Sequence, residues 1–189
     1  MRKVILHMVM SLDGVVSDVD KWADINSDLM DESIARYRQV GTAIFGGATF
    51  AGMSGYWQKA AASSRSPKEK QLGQALNKTE KIALTNRPID IDWENSSELR
   101  VKSERELATK IAELKRKSGK AIVVESGVRT WQRFVKGNLF DELHITVQPV
   151  IAGTGDKLFD GKLDKTRLQL VEEKKLKGGS IKLRYRKVA

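Results

Sequence analysis

The chain has 189 residues, enough for a full hydrophobic core, and its 40% apolar and 31% charged content is that of a globular protein. It has no cysteine, which excludes disulfides, thiol catalysis and cysteine-ligated zinc, and it has no apolar run near the ~18 residues of a membrane span. The net charge of +10 suits anionic partners such as nucleic acid, phosphorylated metabolites or a dinucleotide, or else reflects lysines spread over solvated faces.

Residues 1–10, MRKVILHMVM, pair a basic start with an apolar stretch, but SLDG follows in place of a small-residue cleavage site. The stretch therefore predicts a buried first strand rather than a leader, in a protein expected to be cytoplasmic. Leu29, Met30, Ile34, Tyr37 and Val40 recur at helical spacing, which predicts a helix over 28–40 with Ser27 as its cap. TAIFGG predicts a strand running into a glycine corner, with a helix from about Ala48. Residues 58–79 are polar and rich in Ala and Ser and are expected outside the core, with a short helix capped by Ser66, Pro67 and Glu69.

KIALTNRP predicts a strand ended by Pro88. Ser103 and Glu106 form a capping box for a helix with inner face Leu107, Ile111 and Leu114, ended by Gly119. AIVVESGVRTW predicts strand, corner and helix, the last ending at Gly137, and DELHITVQPVI predicts a further strand. The C-terminus predicts a hairpin around Gly178-Gly179, with Lys182, Arg184 and Arg186 on one face of its second strand. The alternation predicts an α/β fold of three layers, with a mixed, mostly parallel sheet and a C-terminal antiparallel hairpin.

Ligands of such sheets bind beyond the carboxyl ends of the strands, so SLDG, GGATF, TNR and ESGV are the segments of interest. The glycine corners suit phosphate at a helix start, or are plain turns. Arg87 suits a phosphate by a bidentate contact, or is a solvated turn residue. Asp13 and Glu125 suit a substrate hydroxyl or proton relay, or are a turn residue and a backbone acceptor. AGTGDKL has two glycines of a dinucleotide fingerprint but Leu158 in place of the third, so it is read as a shaped connection. His7 and His144 lie in predicted strands without a second ligand at metal spacing and are read as packing or surface residues, so no metal site is expected.

In order, MSLDGVVS, FGGATF, KIALTNR and VVESGVRTWQRFVKGNLFDELHITVQPVIAGTGDKLF resemble the dihydrofolate reductase-like superfamily, and more closely its riboflavin-biosynthesis reductase family. The resemblance spans nearly the whole chain and implies one domain over 1–189 that takes hydride from NADPH. By position it implies Ser126, Gly127 and Val128 at the cofactor pyrophosphate, and Gly46 and Thr49 at the second phosphate-side corner. It implies Thr85, Asn86 and Arg87 around the adenosine ribose and its 2′-phosphate, and Val16 and Ser17 near the nicotinamide. Asp13 and Glu125 are then the catalytic candidates facing substrate, with Trp22, Leu29, Met30 and Ser33 as its wall.

The implied activity is reduction of a ribosylaminopyrimidine phosphate to its ribityl form by a homodimer. A dihydrofolate reductase-like activity on a pteridine, nucleotide binding without turnover, and a basic nucleic-acid module on the hairpin are the alternatives. No specific nucleic-acid or membrane partner is expected. The chain departs from the family at Gly47, where relatives often have arginine, and at Ser126, where they have glycine. The zinc deaminase domain often fused to such reductases is expected to be missing.

Overall fold

The computed structural model describes residues 1–159, 161 and 163–188. The strands are β1 (Val4–Ser11), β2 (Val40–Gly46), β3 (Glu80–Thr85), β4 (Ser96–Arg100), β5 (Ala121–Val124), β6 (Glu142–Gln148), β7 (Leu168–Lys175) and β8 (Ile181–Lys187). The helices are α1 (Val19–Trp22), α2 (Ser27–Gln39), α3 (Gly47–Ser63), α4 (Pro67–Lys78), α5 (Glu104–Arg116) and α6 (Val128–Lys136). Among the described residues these eight strands form one sheet in the order β4-β3-β2-β5-β1-β6-β8-β7. β1 to β6 pair in parallel, and β8 runs antiparallel between β6 and β7. The predicted α/β architecture, with its mostly parallel sheet and closing hairpin, is the one observed.

Alternation along β1 divides the core. Val4, Leu6 and Met8 join Leu107, Ile111, Trp131 and Phe134 under α5 and α6, while Ile5 joins Ile34, Tyr37, Phe50 and Leu72 under α2, α3 and α4. Successive residues of a central strand thus feed opposite layers, which is why the segment is apolar without a clean period of two.

Three expectations need correction. The cap of α2 is Asn26 rather than Ser27: its side chain accepts from the backbone N–H of Asp28 at 3.1 Å and of Leu29 at 3.2 Å. Residues 58–79 do not lie outside the core, since Ala60, Ala61, Leu72 and Leu76 are buried. Small residues explain the contact: a Cβ on Gly73 would sit 2.8 Å from the Ala61 backbone N, so α4 meets α3 backbone to backbone. β4 was not foreseen, because SSELR is a polar edge strand that exists through its pairing with β3.

At the end of α4, Lys81 is fully buried, and its Nζ donates to the carbonyls of Leu76, Asn77 and Thr79 at 2.8, 3.2 and 2.7 Å. A cation there closes the orphan carbonyls and meets the negative end of the helix dipole, although burial pushes its pKa down to about 8.

Candidate functional site

The sheet order reverses around β5, which enters between β2 and β1. The neighbouring strands β2 and β5 both end in corners that start helices, α3 and α6. The two corners are tied together. Gly46 N–H donates to Ser126 Oγ at 2.7 Å, and Gly127 N–H donates to Thr49 Oγ1 at 3.0 Å. The fit leaves no room at position 46, where an added Cβ would lie 2.5 Å from Thr130 Oγ1 and 2.8 Å from Ser126 Oγ. Neither helix is capped by its own N-cap side chain, so two positive dipole ends open on one crevice.

That crevice, about 320 Å³, is lined by both corners, including Val128 and Arg129. Through Gly47, Ala48, Leu84, Arg129 and Thr130 it continues into a groove of about 900 Å³ over the ends of β3 and β4. Thr85 Oγ1 donates to Arg87 O at 2.8 Å and accepts from Arg87 N–H at 3.2 Å, which turns the chain so that Asn86 and Arg87 stand exposed on the groove. Lys102 and Arg129 line the same groove. Neither was among the sequence candidates, although Arg129 lies two positions past the glycine of the corner. Gly47 does not leave the groove without cations, and a Cβ there would meet Thr85 at an ordinary 3.4 Å.

The loop after β1 is zipped to the loop after β6. Val16 N–H donates to Asp156 O at 2.9 Å and Leu158 N–H to Gly14 O at 2.9 Å. Asp156 N–H donates to Ser17 Oγ at 2.9 Å, and Trp22 Nε1 donates to Ser17 O at 2.8 Å. AGTGDKL is therefore the shaped connection expected of it, with Gly153 and Gly155 at φ of 77° and 132°. A Cβ on Gly155 would strike Val15 Cγ1 at 2.6 Å. Val16 itself is buried in the core.

Asp13 belongs to this zip. Its Oδ1 accepts from Ser11 Oγ at 2.7 Å and Ala152 N–H at 2.9 Å, and its Oδ2 from Gly153 N–H at 3.0 Å. The Ser11 bond first, then the backbone bonds, hold its carboxyl near pKa 2, so it stays ionised and clamped.

Glu125, which immediately precedes the corner, is nearly enclosed. Its Oε1 lies 2.6 Å from Arg36 Nε and 3.1 Å from His7 Nδ1, two close charge contacts without the straight geometry of a hydrogen bond. Its Oε2 accepts from the Tyr37 hydroxyl at 2.5 Å. Burial pushes this carboxyl up, but Arg36, His7 and Tyr37 together outweigh it and hold it well below the usual carboxylate range. Tyr37 is driven well above its ordinary value by burial and by Glu125, and His7 is lowered by burial and Arg36 against the pull of Glu125. Arg36, Tyr37 and His7, of which only His7 was weighed in the sequence and then as a packing or surface residue, come from α2 and β1 and meet Glu125 only in the folded sheet. Of the proposed substrate wall, Ser33 reaches this cluster, accepting from Arg36 Nη2 at 3.1 Å. Leu29 is buried, Met30 packs on the core, and Trp22 lies against the loop after β1.

On the same side of the sheet a second cavity, about 170 Å³, lies between α2 and the strands, with His7, His144, Arg36 and Lys182 in its lining. His144 Nε2 lies 3.0 Å from Glu142 Oε2, and burial pushes the histidine down to about 4. The hairpin cations are engaged within the fold: Lys182 pairs with Glu32 at 2.5 Å, Arg184 with Glu172 at 2.5 Å, and Arg186 donates to Gln169 at 3.0 Å. A phosphate-tracking row of these three is therefore not free on the surface.

The family described as RibD C-terminal domain matches residues 2–181. The uncharacterized protein YyaP of Bacillus subtilis (strain 168) is 22% identical over 97% of this chain and 94% of its own. Among solved structures, Acinetobacter baumannii RibD is similar at a TM-score of 0.71 and 16% identity, over 100% of this chain and 58% of that one. Enterococcus faecalis dihydrofolate reductase complexed with NADP(H) is similar at 0.59 and 17%, over 99% and 97%. With every strand but β8 inside the matched residues, the chain belongs to the RibD C-terminal domain family.

Proposed function

We propose that this chain is an NADPH-dependent reductase of a small molecule, and that its reaction is the conversion of a ribosylaminopyrimidine phosphate to the ribityl form. The observation that carries the reading is the pair of bonds Gly46–Ser126 and Gly127–Thr49, which lock two uncapped helix starts onto one crevice. Backbone N–H groups and dipole ends of that kind suit a pyrophosphate. Family membership and the like fold of an NADP(H)-bound reductase support the cofactor class.

In this reading Gly46, Thr49, Ser126, Gly127 and Val128 receive the pyrophosphate, and the glycine required at position 46 fits such a cradle. Thr85 shapes the turn that offers Asn86 and Arg87 to the ribose and its 2′-phosphate, with Arg129 and Lys102 adding charge along the groove. The backbone at Val16 and Ser17 flanks the nicotinamide, and Trp22, Leu29, Met30 and Ser33 wall the substrate along α1 and α2. Asp13 keeps the loops after β1 and β6 in place. A bound nicotinamide supplies the hydride; the protein orients substrate against it and keeps water out. The reading takes residues 1–189 as one cytoplasmic domain acting as a homodimer.

Titration with NADPH and NADH, followed by absorbance assays with a ribosylaminopyrimidine phosphate and with dihydrofolate, tests it. Tight NADPH binding with oxidation by the pyrimidine is expected. Oxidation by dihydrofolate alone would change the substrate, and binding without turnover would leave a nucleotide-binding protein. Absence of NADPH binding would refute the reading.

A further inference from the structure

His7 of β1 and His144 of β6 are direct partners in register, and Arg184 and Glu172 continue the same rung on β8 and β7. This rung floors the cavity of about 170 Å³ beneath α2, large enough for water or a small planar group. The two imidazoles face different carboxylates: His7 Nδ1 lies 3.1 Å from Glu125 Oε1, a close charge contact without hydrogen-bond alignment, and His144 Nε2 lies within hydrogen-bond distance of Glu142 Oε2 at 3.0 Å. A bare Nδ1 lone pair would face the ionised carboxylate at that distance and be repelled, so the contact favours the neutral His7 tautomer with its proton on Nδ1 and Nε2 bare. Arg36 and Tyr37 fix Glu125 in turn. Glu125 directly precedes the Ser126–Gly127 corner, so the carboxylate that His7 faces is one residue from the corner in the chain.

We propose that His7, acting through Nε2, donates the proton of the reduction, with Glu125 positioning its ring. The inference rests on the reductase reading above. One hydride delivered to an acceptor carbon calls for one proton on the neighbouring heteroatom. The Nε2–H bond of protonated His7 breaks as the heteroatom–H bond forms, and the imidazole, left neutral with Nδ1–H on Glu125, takes its next proton from water in the cavity. The other candidates are committed: both oxygens of Asp13 serve the loop clamp, Glu125 is held ionised by three partners, and His144 has no link to the corner carboxylate.

The charged and titratable groups around His7 are Glu125 at the end of β5, Glu32, Arg36 and Tyr37 on α2, His144 on β6, Glu172 on β7, and Lys182 and Arg184 on β8. Burial and Arg36 keep the imidazole neutral at neutral pH. The acid form therefore grows as pH falls, and kcat declines by about tenfold per pH unit above the His7 pKa where chemistry is limiting.

His7→Asn tests the role, because an asparagine amide reaches the Nδ1 position and can still donate to Glu125 while nothing replaces Nε2. The expected result is unchanged NADPH affinity, kcat lower by about 100-fold or more, and loss of the acid-dependent limb. Nitrogen NMR of the imidazoles in the substrate-free wild-type protein gives a second readout. It should find His7 with Nδ1–H and bare Nε2 at neutral pH, and Nε2 taking a proton on acidification. A His7→Asn enzyme with wild-type kcat and an intact acid limb overturns the proposal and leaves the reductase reading standing. So does a wild-type His7 that carries its neutral-form proton on Nε2 or never titrates in the folded state. Failure of the wild-type protein to bind NADPH overturns the reductase reading, and this proposal with it.

Discussion

Ser126 Oγ accepts a 2.7 Å hydrogen bond from the backbone N–H of Gly46, joining the ends of β5 and β2 across 80 positions of sequence. The serine that departs from the family's glycine is therefore a structural tie at the crevice. Ser126→Ala should lower stability by about 1 kcal/mol, the net worth of one such bond, read from urea unfolding. Ser126→Gly should keep NADPH binding at least as tight as in the wild type while showing the same loss of stability. A large loss of binding would mean that the Ser126 side chain, through its tie to Gly46 or by direct contact, holds the cofactor site rather than the backbone N–H groups of the corner.

Gly46→Ala should destabilise by about 1–3 kcal/mol, the usual range for overpacking, since its Cβ meets two hydroxyls below 3.0 Å. Adding Thr130→Ala should recover part of this by removing the nearer one. A stable Gly46→Ala protein with normal NADPH binding would show that the corners do not interlock as described.

Arg87→Gln should weaken NADPH by about 10-fold to 100-fold, as expected for a charge-assisted contact, and leave NADH unchanged, because only NADPH carries the 2′-phosphate. Arg129→Gln, beside the corner, should weaken both cofactors alike. Paired titrations check the contrast, and equal losses for both cofactors in Arg87→Gln would place this arginine elsewhere.

Acid should unfold the protein in stages. His144 has a folded pKa of about 4 against an ordinary 6.5, so the unfolded chain binds its proton first as pH falls. Stability is then lost between those two values, by about 3 kcal/mol from this residue, and His7 contributes in the same direction. Glu125 adds a later loss: its folded pKa is depressed, so its contribution is complete above the ordinary carboxylate value of 4.5 and fades below it. Urea unfolding across pH should show the first loss, and His144→Gln should flatten it.

Glu125→Gln should cost about 3–5 kcal/mol, because it leaves the buried Arg36 charge without its partner. Replacing Arg36 and Glu125 together by apolar residues should cost less than Glu125→Gln alone. Thermal or urea unfolding of the single and double variants decides this, and a near-neutral Glu125→Gln would mean that the cluster is hydrated.

The regular frame was legible wherever local chemistry decides it. Ser103 caps α5 by accepting from Glu106 N–H at 3.1 Å, as its capping box predicts, and the two corners fall where glycine meets an apolar run. α4 was misjudged because Leu72 and Leu76 offer only a short apolar stripe, and burial there depends on Gly73 letting two backbones approach. Asp13 and Glu125 were singled out for chemistry, yet their partners come from residues 152–153, β1 and α2. No local pattern reveals such partners, because strand register and the α2 docking angle bring them together.

The placement of β1 has a consequence for how the chain is made. Its neighbours are β5 and β6, and Arg2 beside it bonds to Lys120, 118 positions away. The central strand therefore has no sheet partner until more than 100 further residues have been made. Non-local pairing of this kind slows folding and leaves an apolar segment uncovered meanwhile, so β1 is a natural client for chaperones that bind nascent chains.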